Sequence, residues 1–465
     1  MCDKRENVQK EEPRKRQKAE ASESNLDLVS GRSLRSFKTP LDFMRFLLSP
    51  IKFEDFKKEY WEKKPLVHQN RSGPSSFYPI HFAKSAFFGL TNTMEMLFER
   101  DVAACKYVDG KRIDFERQGR VTATKLTQLF RKEGATLQVH QPQRWVDGVW
   151  EALEQMECMF GCLVGCNAYI TPPKSQGLAP HHDDVEVFVL QLEGVKKWKL
   201  YKPPSELPRT YSRDFTEDEI GQPTHEFTLQ PGDLLYMPRG TVHQALTPDD
   251  SDSHSTHLTI STYQNHSVGE YLKAVLPDLV EKVMDSSVEL RRGLPIGFLP
   301  SSGMERSALE SAVDHFREQL KNFSGAIPRA DDLVRDFMLT RLPPFGIDRE
   351  ALSETPDGEP PTLESGVTLA YPAHVTYLLD ESDDGKEALL LTSVHNDRET
   401  HMMLSDEHDE NETGVVRFPE HFLSALKQLC TSRGFIRGDT FDLPSDEEKK
   451  VFLTTLWALH LLNVQ

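Results

Sequence analysis

The stretch Pro180-His181-His182-Asp183-Asp184 contains two overlapping His-x-Asp pairs, His181 with Asp183 and His182 with Asp184. Imidazole and carboxylate are metal-ligand types. At this spacing both sit on one face of an extended segment. The two pairs therefore point to opposite faces, and only one of them can serve a given interior. A His-x-Asp by itself is common in proteins. It gains weight when a third ligand comes from a neighbouring strand, and the segment PGDLLYMPRGTVH, residues 231–243, offers one. Its glycines and prolines make two tight turns around LLYMP and bring His243 to the mouth of a small barrel. Two imidazoles and one carboxylate form a facial triad that holds Fe(II) and leaves coordination positions open. Zinc accepts the same donors.

In VKKWKLY, Lys196, Trp198 and Leu200 share one face, and Lys197, Lys199 and Tyr201 share the other. The first face is apolar apart from Lys196, so this lysine points inward, where an ammonium needs a negative partner. An internal salt bridge or a snorkelling stem would satisfy it. So would the far carboxylate of a dicarboxylic keto acid whose keto-acid end chelates iron. Tyr169, in NAYITP, would add a hydroxyl to that carboxylate. Asn167 and Ser261 are candidate polar groups of the same cavity.

These residues need strands to position them. From Cys166 to Gln264, short apolar stretches alternate with Gly and Pro turns (NAYITP, VEVFVLQLEG, KKWKLYKPP, HEFTLQPGDLLYMPRG, VHQAL, THLTISTYQ), the pattern of a β-sandwich or barrel. Upstream, TPLDFMRFLLSP predicts a helix opening at Pro40, FEDFKKEYWEKK a second helix ended by Pro65, and GATLQVHQPQ a strand. Downstream, Val268 to about Leu342 is helical. Ser307 and Glu310 fit a capping box ahead of Leu309, Val313, Phe316 and Leu320, which share one helical face. That face packs either into a core or against a second copy.

RLPPFGIDRE, residues 341–350, reads as a linker. Beyond it, GVTLAYPAHVTYLLD and EALLLTSVH read as strands. PEHFLSALKQLC and SDEEKKVFLTTLWALHLL read as helices, the latter capped by Ser445 and Glu448. The expected organisation is a basic tail over 1–34, a strand-rich domain with an N-terminal α/β elaboration over 35–267, a helical region over 268–345 and an acidic α+β domain of winged-helix type over 346–465.

Composition narrows the partners. No apolar run approaches the roughly 18 residues of a membrane span, and the N-terminus lacks an apolar signal region. Six cysteines in 465 residues fit a reducing compartment, and Cys158, Cys162 and Cys166 read as small buried hydrophobes. Net charge is −18, and residues 346–465 hold 24 acids against 9 bases. Such a surface repels DNA and attracts basic proteins. Arg14, Lys15, Arg16 and Lys18 form a basic cluster, either a solvated tail or a nuclear import signal.

PHHDDVEVFVLQLEGVKKWKLY, GDLLYMPRGTVHQA and HLTISTYQN together resemble the JmjC ribosomal oxygenases. QVHQPQRW and RETHMM are most similar to the Myc-induced nuclear antigen branch. The resemblance spans about Phe37 to the C-terminus. It implies an α+β protein built on a double-stranded β-helix (a cupin-like jelly roll), with a helical dimerisation region and a C-terminal winged-helix domain. It implies Fe(II) on His181, Asp183 and His243, with 2-oxoglutarate and O2 as cosubstrates and Lys196 as the 2-oxoglutarate lysine. The implied activity is hydroxylation of a histidine in a large-subunit ribosomal protein. Demethylation of lysine on histone H3, and a setting in the nucleus and nucleolus tied to ribosome biogenesis and transcription, are associated with the same branch. Relatives carry an aromatic such as tyrosine where this chain has His182. The alternative is a catalytically inactive JmjC scaffold serving chromatin or ribosome assembly. A degenerate scaffold should have lost at least one of the three ligands or the lysine, and this chain keeps all four.

Overall fold

The short apolar strands between Val164 and Thr262, separated by glycine and proline turns, pair into two facing antiparallel sheets. In the computed structural model, which describes residues 36–69, 77, 79–80, 82–115, 118–293, 306–325, 327–382, 385–403 and 412–465, the larger sheet has eight strands in the order β1-β9-β6-β11-β5-β4-β2-β3. These are β1 (Leu66–His68), β2 (Val102–Val108), β3 (Lys111–Asp114), β4 (Thr136–His140), β5 (Val164–Thr171), β6 (Glu186–Glu193), β9 (Leu234–Met237) and β11 (Ser255–Thr262). Facing it is the sheet β10-β7-β8, formed by β7 (Lys196–Tyr201), β8 (His225–Leu229) and β10 (Val242–Leu246). Two sheets joined in this order make a double-stranded β-helix. Val187, Val189, Trp198, Leu200, Leu229, Leu235 and Met237 fill the space between them. Each such burial contributes about 1.5–3 kcal/mol.

The outer face of β6 and β9 is covered as well, which is why VEVFVLQL reads as nearly continuous apolar sequence. Phe188 and Tyr236 meet Phe56 and Trp61 there, and Trp61 stacks on Phe160 at 5.1 Å between ring centroids. The first helix, Pro40–Leu48, starts as expected, with Thr39 capping the Asp42 amide and Pro40 in the first turn. The second is shorter than expected. It runs Phe53–Glu59 and ends before Pro65 is reached, because Trp61 turns into this aromatic cluster and β1 begins at Leu66.

The helix Asp147–Phe160 carries Glu151, Glu154 and Glu157 in buried positions. Glu157 accepts from His401 Nε2 at 2.9 Å, the Leu342 amide at 2.9 Å and the Val164 amide at 3.2 Å. Arg341 approaches it at 3.9 Å. Trp150 Nε1 donates to the Pro343 carbonyl at 3.1 Å, and the Phe345 ring meets Trp150 edge-on. The segment expected to be a linker is thus packed from Arg341 to Phe345. Its prolines break helix, and its apolar neighbours are buried. Glu157→Ala would leave Arg341 buried without its carboxylate, and an unfolding midpoint equivalent to about 3–5 kcal/mol of lost stability is expected. Denaturant unfolding of the variant against the parent measures it.

C-terminal to this segment lie two three-stranded antiparallel sheets. One is β16-β12-β17, from β12 (Gly366–Leu369), β16 (Ile436–Arg437) and β17 (Leu462–Val464). The other is β13-β14-β15, from β13 (Val375–Ser382), β14 (Gly385–Thr392) and β15 (Val415–Pro419). The helices Leu423–Thr431 and Asp446–Ala458 share a core with them through Leu426, Phe452 and Leu456. Ser445 caps the second helix by accepting from the Glu448 amide.

Between barrel and C-terminal region run the helices Val268–Ser286, Arg306–Asn322 and Asp331–Thr340. The middle one begins at Arg306, so Ser307 lies inside its first turn and is not its cap. Among the described residues no helix is long and apolar enough to cross a membrane.

Candidate metal centre

His181 and His243 are brought together by backbone pairing. They form an isolated antiparallel bridge, with the His181 amide donating to the His243 carbonyl at 3.2 Å and the reverse bond at 2.9 Å. Their rings lie 4.5 Å apart. Each Nδ1 faces a carbonyl two residues earlier, Ala179 O at 2.8 Å for His181 and Thr241 O at 3.0 Å for His243. A carbonyl accepts only from N–H, so both protons sit on Nδ1 and both lone pairs on Nε2. That is the tautomer a metal ligand requires. The two Nε2 atoms point at Asp183, 3.8 Å from Oδ1 and 3.8 Å from Oδ2 respectively. All three ligand atoms fall within 4.8 Å of one another. Burial, with His181 alongside, pushes the His243 imidazole down to about 4, so it stays neutral.

The other register points elsewhere. His182 is buried beside Phe215, with its amide donating to Ser212 Oγ at 2.8 Å. Asp184 accepts from Gln264 at 3.2 Å on the outer side.

Lys196 does point inward and is 3% exposed. Its ammonium donates to Thr171 Oγ1 at 2.6 Å. Among the described residues no carboxylate pairs with it, and burial pushes the group down to about 7. The internal salt bridge is therefore not what satisfies it. A cavity separates Lys196 from His181, Asp183 and His243, lined by Thr136, Tyr169, Thr171, Trp198 and His257. Tyr169 stacks on His257 at 5.1 Å, and burial raises its phenol, keeping it a donor. Donors at one end and a metal-ready triad at the other fit a metal chelated by a keto acid whose second carboxylate reaches the lysine.

Asn167 and Ser261 are not part of this cavity wall. Asn167 shares the Tyr169 side of β5 and bonds His140 Nδ1 at 3.2 Å. Ser261 lies in a wider neighbouring groove with Gly165 and Met402. Thr171 and His257, which do line the cavity, escaped the sequence reading. Counting on by two from Tyr169, and back by fours from Ser261, reaches both.

Glu154, Cys158 and His374 also converge. There the Arg341 guanidinium donates to Cys158 Sγ at 2.9 Å and His374 bonds Glu154 directly at 2.8 Å. A cation would sit against a fixed positive charge, so this cluster is a polar tie between the Asp147–Phe160 helix and the C-terminal region. Cys162 and Cys166 are free and buried, as their spacing among apolar residues suggested.

A double-stranded β-helix with two imidazoles and one carboxylate at its mouth is an arrangement that suits a non-haem Fe(II) oxygenase, and a JmjC-domain family profile matches residues 138–266. Ribosomal oxygenase 2 of Rattus norvegicus is 40% identical over 448 residues, covering 94% of this chain and 95% of that protein. Its Bos taurus counterpart is 42% identical over 440 residues, 92% and 93% of the two chains. The Aedes aegypti protein named bifunctional lysine-specific demethylase and histidyl-hydroxylase NO66 is 33% identical over 77% of this chain and 58% of its own length. Among solved structures, Escherichia coli ycfD aligns over 89% of this chain and 98% of that one, at 14% identity and a TM-score of 0.44. The chain belongs to the ribosomal oxygenase family, and is a JmjC oxygenase by fold and by descent.

Proposed function

We propose that the protein is an Fe(II)- and 2-oxoglutarate-dependent dioxygenase that hydroxylates a histidine of a large-subunit ribosomal protein. The observation that carries this is the pairing of the His181–Asp183–His243 cluster with a buried, carboxylate-free Lys196 across one cavity. When bound, Fe(II) and 2-oxoglutarate supply O2 activation and oxidative decarboxylation to succinate and CO2. The chain's own groups do the rest. The Nδ1 bonds to the Ala179 and Thr241 carbonyls fix both rings so that each Nε2 faces the metal position. Lys196, Thr171 and Tyr169 bind and orient the far carboxylate. Trp198, Val187 and Val189 wall the cavity with apolar surface and keep water out.

The substrate class rests on the family and on charge. An acidic surface attracts basic ribosomal proteins, and histone H3 tails equally. Mass spectrometry after incubation with large-subunit ribosomal proteins and with methylated histone H3 peptides separates the two activities. An added oxygen on a histidine supports hydroxylation, and methyl loss alone would shift the assignment to demethylation. The domain limits at 34, 267 and 345, a winged-helix-like C-terminal domain that does not bind DNA, and residence in the nucleus and nucleolus belong to the same proposal. The basic cluster at Arg14–Lys18 lies outside the described residues.

The helical region would pair two copies. Val268, Leu272 and Leu276 on one helix and Leu309 and Val313 on the next are 37–78% exposed. Phe316, on the latter's same face, is half-buried. Aspartates at Leu309 and Val313 should convert a dimer into a folded monomer, read by sedimentation equilibrium with circular dichroism as the fold control. A monomeric parent would refute the pairing.

A further inference from the structure

Glu186 opens β6 three residues after Asp183, and its side chain is fully buried. On the same outer face of that strand, Phe188 and Leu190 are apolar, as a covered face requires. A carboxylate there is costly to bury, and its burial holds the group up to about 7. All of its bonds run to one neighbouring segment. Tyr236 donates its hydroxyl to Glu186, and the Arg239 amide donates to Glu186 Oε1 at 3.3 Å. The Tyr236 oxygen in turn accepts from the Glu62 amide at 2.9 Å, and Arg239 Nη2 meets Glu62 Oε1 at 3.0 Å.

The segment so held is the Pro238-Arg239-Gly240 turn between β9 and β10. The Gly240 amide donates to the Asp183 carbonyl at 2.9 Å. Thr241, bonded back to Pro238 at 3.1 Å, presents the carbonyl that fixes the His243 tautomer. Gly240 has φ +87°, and a Cβ there would stand 2.5 Å from Pro208 Cδ, so the turn is confined on its other side too. Two of the three candidate ligands thus hang on one turn.

We propose that Glu186, with Tyr236, Arg239 and Glu62, clamps this turn and is a positioning residue for the metal ligands Asp183 and His243. The clamp rests on the reading of His181, Asp183 and His243 as the metal site. It acts through the backbone and touches neither metal nor cosubstrate.

Cobalt(II) binding to the metal-stripped full chain, read by visible absorption without 2-oxoglutarate, tests it well below every variant's unfolding midpoint. Glu186→Gln cannot accept both bonds, because its amide nitrogen faces a donor, and should weaken cobalt binding about 10–100-fold. Tyr236→Phe keeps the ring, loses the hydroxyl and should shift affinity in the same direction. Leu456→Ala, in the C-terminal core, should lose stability yet bind cobalt like the parent. Parental cobalt affinity in folded Glu186→Gln and Tyr236→Phe overturns the clamp. Should Glu186→Gln not fold, Tyr236→Phe and Glu62→Gln decide by the same criterion. His243→Ala separates the two levels of the argument. If it binds cobalt like the parent, the metal reading itself fails. If it loses cobalt while the clamp variants do not, only the clamp fails.

Discussion

Asp183→Ala should abolish 2-oxoglutarate turnover, whereas Asp184→Ala should retain it. Asp183 is equidistant from the Nε2 lone pairs of His181 and His243, at 3.8 Å from each, and supplies the carboxylate of that cluster. Without it two imidazoles remain, too few donors to hold a divalent ion in a three-ligand geometry. The loss should exceed the roughly 10–100-fold that removing an outer partner costs. Asp184 gives up a hydrogen bond to Gln264, worth about 0.5–1.5 kcal/mol, far from the cavity. His182→Tyr should stay active for the same reason, since its ring lies against Phe215. Succinate production by the three variants is the measurement. An inactive Asp184→Ala beside an active Asp183→Ala would reverse the register.

Lys196→Ala should weaken 2-oxoglutarate binding by about 2–5 kcal/mol, roughly 30- to 5,000-fold, and leave metal binding nearly intact. Among the described residues the ammonium bonds Thr171 Oγ1 and meets no carboxylate, so the cosubstrate's far carboxylate would be its anionic partner. The sign of the pH dependence follows. Burial holds the free site's ammonium down to about 7, and a bound carboxylate favours the charged form. Above pH 7 binding must take up a proton, so affinity is greatest below that value and falls as pH rises, by at most about tenfold per unit. Calorimetry in buffers of different ionisation enthalpy reads the proton directly. Unchanged affinity in Lys196→Ala would remove the lysine from the site.

Strands β5 to β11 were legible because short apolar stretches are separated by glycine and proline turns, even where β6 and β9 are covered on both faces and do not alternate. His243 and Lys196 followed from the same patterns, one by its turn and the other by its face. The His-x-Asp register rested on the family resemblance and not on alternation, because residues 181–184 form a loop and one bridge pair, where strict alternation does not apply. The inward Thr171 and His257 have ordinary strand residues as neighbours and gain meaning only opposite Lys196. Asn167 and Ser261 sit on inward faces but past the cavity's end, a distance that periodicity does not encode. The 341–345 segment misled for a different reason. Its prolines resemble those of a linker, and its burial depends on Trp150 and Glu157, some 190 residues away in sequence.

The central claim is that one cavity joins a metal triad to Lys196. Anaerobic titration of 2-oxoglutarate into the Fe(II)-loaded protein tests it most directly, through the visible charge-transfer band of an iron–keto-acid chelate. The parent should develop the band with saturation at one equivalent. Lys196→Ala should develop it only at much higher 2-oxoglutarate, and Asp183→Ala not at all. A folded parent that binds both components without the band, or an Asp183→Ala variant that keeps it, would contradict the account.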